Sequence, residues 1–258
     1  MGGLYAVGDI HGHVDQLVGL LFQVGLVDAD GAWSGRESTL CMTGDLVDRG
    51  PDGVGAIELV MRLQSEALKA GGQVACVAGN HDLIMLLAQR FPKQKNRQGT
   101  SYYKIWQRNG GRETDLELLT DTHIEWLRRL PVMLLVRDRL LIHADSLLYH
   151  RYGRSIDEVN TRIGDIIARD DLDGWDILMD EFATREAFIQ RPGGVRVARS
   201  FLERYGGTQI LHGHTPISAV TGRQPAEVNE PLIYADGLVV NLDGGMYLGA
   251  PGFIHRLE

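Results

Sequence analysis

The chain has 258 residues, of which 44% are hydrophobic and 23% charged, and its formal net charge at pH 7 is −8. This length and apolar content predict a single domain, residues 1–258, around one large core. The acidic balance argues against nucleic acid as a general partner, because a phosphate backbone is bound by clustered lysine and arginine.

Three short apolar runs predict buried strands: LYAV at 4–7, TLCM at 39–42 and VACVA at 74–78. Runs of this length bounded by glycine suit strands that are covered on both faces and need no polar alternation. Cys41 and Cys76 lie in these runs without metal-site spacing, so we expect small core residues in a reducing compartment. The N-terminus shows no charged leader or apolar segment of membrane length, which predicts a cytoplasmic protein without a membrane partner.

Helical spacing follows two of the runs. After the first, apolar residues recur at i, i+3, i+4 and i+7, namely Val14, Leu17, Val18 and Leu21. A similar pattern begins at Ile57, after the turn at 51–53. The sequence therefore predicts strand–loop–helix units, whose loops meet at the carboxyl ends of the strands, where open α/β sheets hold ligands.

A polar motif follows each run: GDIHG at 8–12, GDLVDRG at 44–50 and GNHD at 79–82. Asp9 and His11 are two apart on an extended segment, so they point the same way and can bind one cation. Asp45 can bridge that cation to a second, because a carboxylate has two oxygens whereas a histidine nitrogen serves one metal.

Ligands of the same kind occur downstream. Asn80 offers a carbonyl oxygen, and His143 and His214 offer imidazoles. Mixed nitrogen and oxygen ligation without a thiolate favours manganese, iron or zinc. Two such ions roughly 3.5–4 Å apart can activate a bridging water and hold a phosphoryl group during in-line displacement. The residues thus predict a two-metal phosphoester hydrolase whose nucleophile is hydroxide.

Taken singly, each motif also has a structural interpretation, since Asp and Asn cap helices and shape glycine-flanked turns. Five independent turns would not normally assemble a full ligand set together with an acid pair and an arginine. Their joint occurrence therefore favours the metal site.

The three motifs, followed in order by His143 and Gly213-His214, resemble the signature of the phosphoprotein phosphatase branch of the calcineurin-like metallophosphoesterases, particularly its bacterial members. The resemblance runs from about Leu4 to the C-terminal strands. It implies an α/β fold (α+β by some schemes): a four-layer α-β-β-α sandwich of two mixed sheets, with the metals at one end.

The resemblance also implies which residues hold two divalent ions, with manganese expected first and iron, zinc or magnesium as alternatives. The first metal would be held by Asp9, His11 and Asp45. The second would be held by Asp45, Asn80, His143 and His214.

By the same resemblance, His81 paired with Asp48 would be the general acid, and Arg49 would bind phosphate oxygens with its planar guanidinium. A histidine beside a metal-bound Asn80 lies near dications that favour its neutral form, so His81 needs a carboxylate partner to stay protonated and deliver a proton to the leaving alkoxide.

Some positions depart from the family pattern. Asp82 stands where eukaryotic members have glutamate, Ala144-Asp145 replaces glycines after His143, and no SAPNY segment occurs near the C-terminus. Pro216 takes the place of a histidine in wider relatives, and we expect water there. These changes bear on substrate and regulators more than on the reaction.

A second arginine is expected, because charge spread over three equatorial oxygens needs more than one donor cluster. Arg185, in the short segment ATRE, resembles the position that bacterial relatives use. Arg191, Arg196 and Arg199 compete with it, and each also has an interpretation as an ordinary solvated charge.

The other histidines lack motif support. We expect His214 rather than His212 to be the ligand, and we expect surface or core positions for His13, His123, His150 and His255. The segment DLDG at 171–174 is similar to a calcium loop, but the loop's first and twelfth positions fall on Arg169 and Asp180. It is predicted to be an acidic turn between helices.

Two segments are predicted as possible specificity insertions, 92–112 and 146–185. The first is locally basic and aromatic: it would steer a polyanion toward the metals, or it would be a solvated helical hairpin with a packed Trp106. The second contains an acidic stretch at 156–181, which would be either a cap over the cleft or an exposed helix pair. Near the C-terminus, apolar runs that alternate with glycine turns, including 253–254, predict a second sheet.

Three functions are consistent with these observations. The first is hydrolysis of phosphomonoesters, including phosphorylated serine, threonine or tyrosine on protein. The second is hydrolysis of dinucleoside polyphosphates such as diadenosine tetraphosphate. The third is a catalytically silent binding module, which the retention of every ligand and of His81 disfavours.

Overall fold

The computed structural model describes residues 2–189 and 193–257. The strands in these residues are β1 Leu4–Val7, β2 Thr39–Met42, β3 Gln73–Cys76, β4 Met133–Val136, β5 Arg139–Ile142, β6 Gln209–His212, β7 Leu232–Tyr234, β8 Val239–Asn241 and β9 His255–Leu257. The strands β1 and β2 match the predicted runs, whereas β3 spans residues 73–76 rather than the predicted 74–78. Both cysteines are buried and free, as predicted.

The helices of the described residues are α1 Val14–Gln23, α2 Gly53–Lys69, α3 Asn80–Arg90, α4 Tyr102–Arg108, α5 Glu113–Leu118, α6 Asp121–Arg129, α7 Tyr149–Tyr152, α8 Ile156–Ala168, α9 Leu172–Phe182, α10 Gly194–Tyr205 and α11 Ile217–Thr221. The i, i+3, i+4 patterns correctly predicted α1 and α2. Asp171 caps α9 by accepting a hydrogen bond from the Gly174 amide (3.0 Å). The prediction of a turn at 171–174 is therefore only partly right, because residues 172–174 form the first turn of α9 and the link from α8 is limited to residues 169–171.

The strands form two mixed sheets. In the first, ordered β3-β2-β1-β9, the three N-terminal strands are parallel and β9 is antiparallel to β1. In the second, ordered β4-β5-β6-β8-β7, the central strands β5, β6 and β8 are parallel and the edge strands are antiparallel. Parallel strands are continuous and apolar here because both faces are covered.

Alternate residues of each sheet face different layers. On β2, Leu40 packs with the helices whereas Cys41 packs in a separate apolar cluster between the sheets. On β5, Leu140 faces helices and Leu141 faces the inter-sheet cluster, which also contains Leu211. This alternation of side chains along strands produces the predicted α-β-β-α sandwich.

One part of the C-terminal prediction is wrong. The residues at 253–254 are not a strand, and β9 begins two residues later and joins the first sheet rather than the second. Leu257 then packs into the inter-sheet cluster opposite Leu4. Which sheet β9 joins depends on the free edge of β1. That edge is about 250 residues away in sequence, so no local sequence pattern indicates the pairing.

Candidate functional site

Loops at the carboxyl ends of five strands converge on one site. The first sheet contributes Asp9 and His11 after β1, Asp45 after β2 and Asn80 at the start of α3. The second sheet contributes His143 after β5 and His214 after β6. Because the strands within each set are parallel, their carboxyl ends share one edge, and stacking of the two sheets brings the two edges together.

Asp45 lies at the centre of this site. Its Oδ2 is 3.7 Å from Nε2 of His11, and its Oδ1 is 3.4 Å from Nε2 of His143. Asp45 is 2% exposed, and both histidines are fully buried. The two carboxylate oxygens therefore face two different imidazoles, which is the arrangement needed to bridge two cations.

Hydrogen bonds fix the protonation of these imidazoles. Nδ1 of His11 donates to the carbonyl oxygen of Val47 (2.8 Å), and Nδ1 of His143 donates to that of Thr43 (2.7 Å). Each Nε2 thus presents a lone pair to the site. Nε2 of His143 faces another acceptor, Oδ1 of Asn80, at 3.0 Å. Converging acceptors of this kind suit a cation.

The pKa values of these residues also suit a metal site. Burial lowers the pKa of His11, His143 and His214, so these rings are neutral and can act as ligands. Burial raises the pKa of Asp45, but favourable interaction of its ionised form with the surrounding histidines, His143 first, outweighs burial and leaves this pKa below its ordinary value. Nε2 of His214 is buried without a hydrogen-bond partner among the described residues, as expected of a site that receives a cation.

The described residues contain two groups that could hold a metal ion. One consists of Asp45, His143 and His214, with Asn80 adjacent, since its Oδ1 lies 2.8 Å from Nδ1 of His214. The other consists of His11, Asp45 and His81. His81, expected as the acid, is thus also close enough to be a ligand.

Asp9 lies beside these groups. Its oxygens accept hydrogen bonds from the His214 amide (2.9 Å) and the Thr43 hydroxyl (3.2 Å). Burial, together with Asp243 and Asp45, raises the pKa of Asp9 well above its ordinary value. Burial likewise raises the pKa of Asp243 to about 7. A nearby dication would favour the ionised forms of both carboxyls.

His81 and Asp48 form the expected pair. Nδ1 of His81 donates to Oδ2 of Asp48 at 2.8 Å, and both residues are buried. The other oxygen of Asp48 accepts a hydrogen bond from the indole N–H of Trp106 (2.7 Å). Trp106 belongs to the segment 92–112, so that segment supports the pair directly. The sequence did not predict this contact.

Arg49 points into the same space. Its guanidinium donates to Nε2 of His81 (2.7 Å) and lies 3.1 Å from Nε2 of His11. Its carbon Cζ lies 4.1 Å above the ring of Tyr247, where cation–π attraction stabilises it. Its amide donates to the carbonyl oxygen of Gly110 (2.8 Å), so the segment 92–112 also holds Arg49 in place.

Arg185 is exposed, and its charge acts on two residues of the site. After burial and His143 it helps to lower the pKa of His214, and it opposes the rise that burial causes in the pKa of Tyr247. Arg196 and Arg199 are exposed on α10, and Arg191 lies outside the described residues. Among the described candidates, Arg185 is therefore the arginine whose charge reaches the site.

Two buried aspartates that the sequence identified only as departures hold the site loops. Asp82 accepts hydrogen bonds from the amides of Asp45 (3.0 Å), Leu46 (2.9 Å) and Gly79 (2.8 Å). It thereby joins the loops after β2 and β3. No motif spacing indicated this bracing.

Asp145 performs a similar task in the second sheet. It accepts hydrogen bonds from the Thr215 hydroxyl (2.8 Å) and the Glu186 amide (2.8 Å). It thus joins the loop of His214 to the segment that carries Arg185. The only sequence signal was an aspartate in a place where relatives have glycine.

Two glycines of the motifs are required by close approach. A Cβ at Gly79 would overlap the carboxylate of Asp45, and a Cβ at Gly213 would overlap that of Asp9. These glycines let the backbone approach the carboxylates of Asp45 and Asp9.

His212 lies outside both metal-capable groups. Its Nε2 contacts the hydroxyl of Tyr234 (2.9 Å). Two other histidines pack elsewhere: Nε2 of His123 lies 3.5 Å from Oε1 of Glu58, and His150 stacks on Phe201.

The sequence pattern of the calcineurin-like phosphoesterases matches residues 4–218. The chain therefore belongs to the calcineurin-like phosphoesterase family, whose members depend on metal ions. Within the described residues, no helix has the length and apolar character needed to cross a membrane.

Curated relatives match part of the chain. It is similar to the symmetrical bis(5'-nucleosyl)-tetraphosphatase of Pectobacterium atrosepticum, with 34% identity over 146 residues, covering 55% of this chain and 42% of that protein. It is also similar to Shewanella-like protein phosphatase 2 of Arabidopsis thaliana, with 30% identity over 103 residues, covering 40% and 26%. The matches thus span less than half the length of these relatives.

Among solved structures, a cold-active protein-tyrosine phosphatase of a psychrophilic Shewanella species superposes on 100% of this chain and 76% of its own, with a TM-score of 0.73 and 20% identity. A putative diadenosine tetraphosphatase covers 99% of this chain and 93% of its own, with a TM-score of 0.53 and 19% identity. At these identities the likeness concerns the fold.

Proposed function

We propose that the protein is a dinuclear metal-dependent hydrolase of phosphomonoesters, acting on phosphorylated serine or threonine in proteins. The observation that carries this proposal is the placement of Asp45 between His11 and His143, one carboxylate oxygen toward each (3.7 and 3.4 Å). Two divalent ions, manganese first, would supply an activated water and charge neutralisation.

The metal-binding roles would be divided as follows. His11, Asp45 and Asp9 would hold one ion. The other would be held by Asp45, Asn80, His143 and His214. The buried, neutral imidazoles and the ionised Asp45 support this division.

Catalysis by the side chains would rest on His81. In the structure Nε2 of His81 accepts a hydrogen bond from Arg49, so Arg49 would first have to turn to the phosphate. His81, then protonated at both nitrogens, would donate the Nε2 proton to the leaving oxygen while Asp48, 2.8 Å from Nδ1, stabilises the imidazolium. Arg49 and Arg185 would bind the phosphate oxygens and balance the charge that develops in the transition state.

A second candidate function is hydrolysis of dinucleoside polyphosphates. The observation in its favour is the 34% identity to a symmetrical tetraphosphatase over 55% of this chain. We propose that residues 1–258 act as one domain and that the segments 92–112 and 146–185 choose between these substrates.

The first test measures hydrolysis of a small aryl phosphate with added Mn²⁺, together with metal content. His81→Ala should lower kcat by about 10²- to 10⁴-fold while about two metal ions per chain stay bound. His255→Ala, on β9, is the matched control and should change neither value. Absence of hydrolysis by the wild type with every divalent ion tried would reject the function, and loss of metal in His81→Ala would make His81 a ligand.

A further inference from the structure

A cavity of about 200 Å³ lies between α3, α4 and α9. We propose that this cavity binds the residue that flanks the phosphoester in a peptide substrate, and that it selects an apolar or basic residue over an acidic one. This inference rests on the proposed phosphohydrolase activity and names the substrate class that the site would accept.

Three of the lining residues connect the cavity to the candidate metal site. Asn80 lines it, and the same side chain contacts His143 and His214. Asn109 lines it and precedes Gly110, whose carbonyl oxygen holds the amide of Arg49. Ala183 lines it and is two residues before Arg185. A phosphate held between the arginines would therefore place its neighbouring groups at the mouth of the cavity.

Both insertions form the walls. The first insertion contributes Ile105 and Asn109, and the second contributes Met179 and Asp180. The walls are fixed to each other, because Asp176 accepts hydrogen bonds from the Tyr102 hydroxyl (2.8 Å) and the Arg97 amide (2.8 Å). The cavity is thus preformed rather than assembled on binding, which reduces the entropic cost of binding.

Size and lining favour one side chain. A volume of about 200 Å³ equals roughly seven water molecules at about 30 Å³ each, which suits one amino-acid side chain. Ile84, Leu87 and Met179 give it an apolar lining. An aliphatic or aromatic side chain, or the stem of lysine or arginine, would bury apolar surface there.

The acidic lining of the cavity disfavours a polyphosphate ligand. Two aspartates, Asp176 and the exposed Asp180, line the cavity, and none of the described lining residues is basic. A polyphosphate chain in this position would meet carboxylates without a cation to balance it, whereas a lysine or arginine head group would be attracted to Asp180. The electrostatics therefore favour a phosphopeptide over a dinucleoside polyphosphate.

The test compares kcat/KM for three phosphoserine peptides that differ only in the flanking residue, which is lysine, alanine or glutamate. The wild type should prefer lysine to glutamate by about 3- to 10-fold, the size expected of one partly solvated charge pair. Asp180→Lys should reverse that preference. Asp165→Lys, an exposed charge reversal on α8, is the matched control and should retain the wild-type preference.

Two outcomes would overturn the inference. One is a lysine-to-glutamate ratio that is the same in the wild type and in Asp180→Lys. The other is a higher kcat/KM of the wild type for diadenosine tetraphosphate than for the lysine peptide. Hydrolysis of the aryl phosphate by the wild type in the same assay separates either result from failure of the proposed function itself.

Discussion

Five of the predicted site residues have positive backbone φ angles: His11, Asp45, Asp48, Arg49 and His214, between 47° and 69°. A residue with a side chain pays of order 1–3 kcal/mol for such a conformation, so it persists only where the surroundings impose it. Here the amides of residues 10 and 11 donate to the carbonyl oxygen of Asp45 (3.1 and 2.9 Å). These bonds hold the loops of His11 and Asp45 to each other.

Trp106 contacts the His81–Asp48 pair through one hydrogen bond. Trp106→Phe keeps an aromatic ring in the core but removes the only indole donor to Asp48 among the described residues (2.7 Å). A buried acceptor that loses its partner costs about 1–3 kcal/mol, and we expect part of that cost to appear as weaker support of His81. The kcat for an aryl phosphate should fall about tenfold, with metal content unchanged.

The matched control for that variant is Trp126→Phe. Trp126 also donates an indole hydrogen bond, to Oε1 of Gln64 (2.9 Å), but it lies on α6 away from the site. The Trp126→Phe variant should be somewhat less stable than the wild type and should keep the wild-type kcat. Equal kcat values for Trp106→Phe and the wild type would contradict the supporting role of Trp106.

At the scale of elements, local patterns predicted what is decided locally. The apolar spacing of Leu17 and Leu21 gave α1, and the motif glycines gave the turns after β1, β2 and β3. Contacts between distant elements left no such pattern. The bond from Trp106 to Asp48 spans 58 positions and that from Thr215 to Asp145 spans 70. These contacts depend on how segments distant in sequence pack together, which residue spacing does not encode.

The packing of α5 against the start of α2 yields a pH-dependent prediction. Asp115 of α5 is 2% exposed and faces the backbone of Gly53. Burial raises its pKa to about 6; Arg112 opposes the shift, and Asp48 and Asp52 add to it. The folded protein therefore binds this proton more tightly than the unfolded chain, so the stability associated with it is present below about pH 4 and is lost as pH rises through about 6.

Asp115→Asn removes that loss by making the side chain neutral at every pH. Its Tm should equal that of the wild type below about pH 4, exceed it increasingly between pH 4 and 6, and keep a constant excess above that range. Thermal unfolding with a chelator present measures this difference, and Asp165→Asn on exposed α8 serves as control. A Tm difference that grows toward low pH would contradict the assignment.

At the scale of the whole molecule, the site joins the two halves of the sandwich. Asp9, Asp45 and Asn80 come from loops of the first sheet, whereas His143 and His214 come from loops of the second. The sequence singled out these five residues because each motif is short and local, and their role as metal ligands stays a prediction. It could not predict that Asp145 and Asp82 brace the loops, because an isolated aspartate has no characteristic spacing. Cation binding at this junction should therefore stabilise the folded protein, in addition to any role in hydrolysis.

Metal binding at this junction should be measurable as a rise in Tm. A ligand that binds only the folded state adds about 2.7 kcal/mol of stability at a concentration 100 times its Kd. In a chain of this size each kcal/mol raises Tm by about 2–4 °C, so saturating Mn²⁺ should raise Tm by about 5–10 °C per ion relative to chelator. Asp45→Asn should abolish most of the rise, since Asp45 faces both histidines, whereas Asp30→Asn in an exposed turn should retain it. An equal Mn²⁺-dependent rise in Asp45→Asn and the wild type would show that the stabilising ions bind elsewhere.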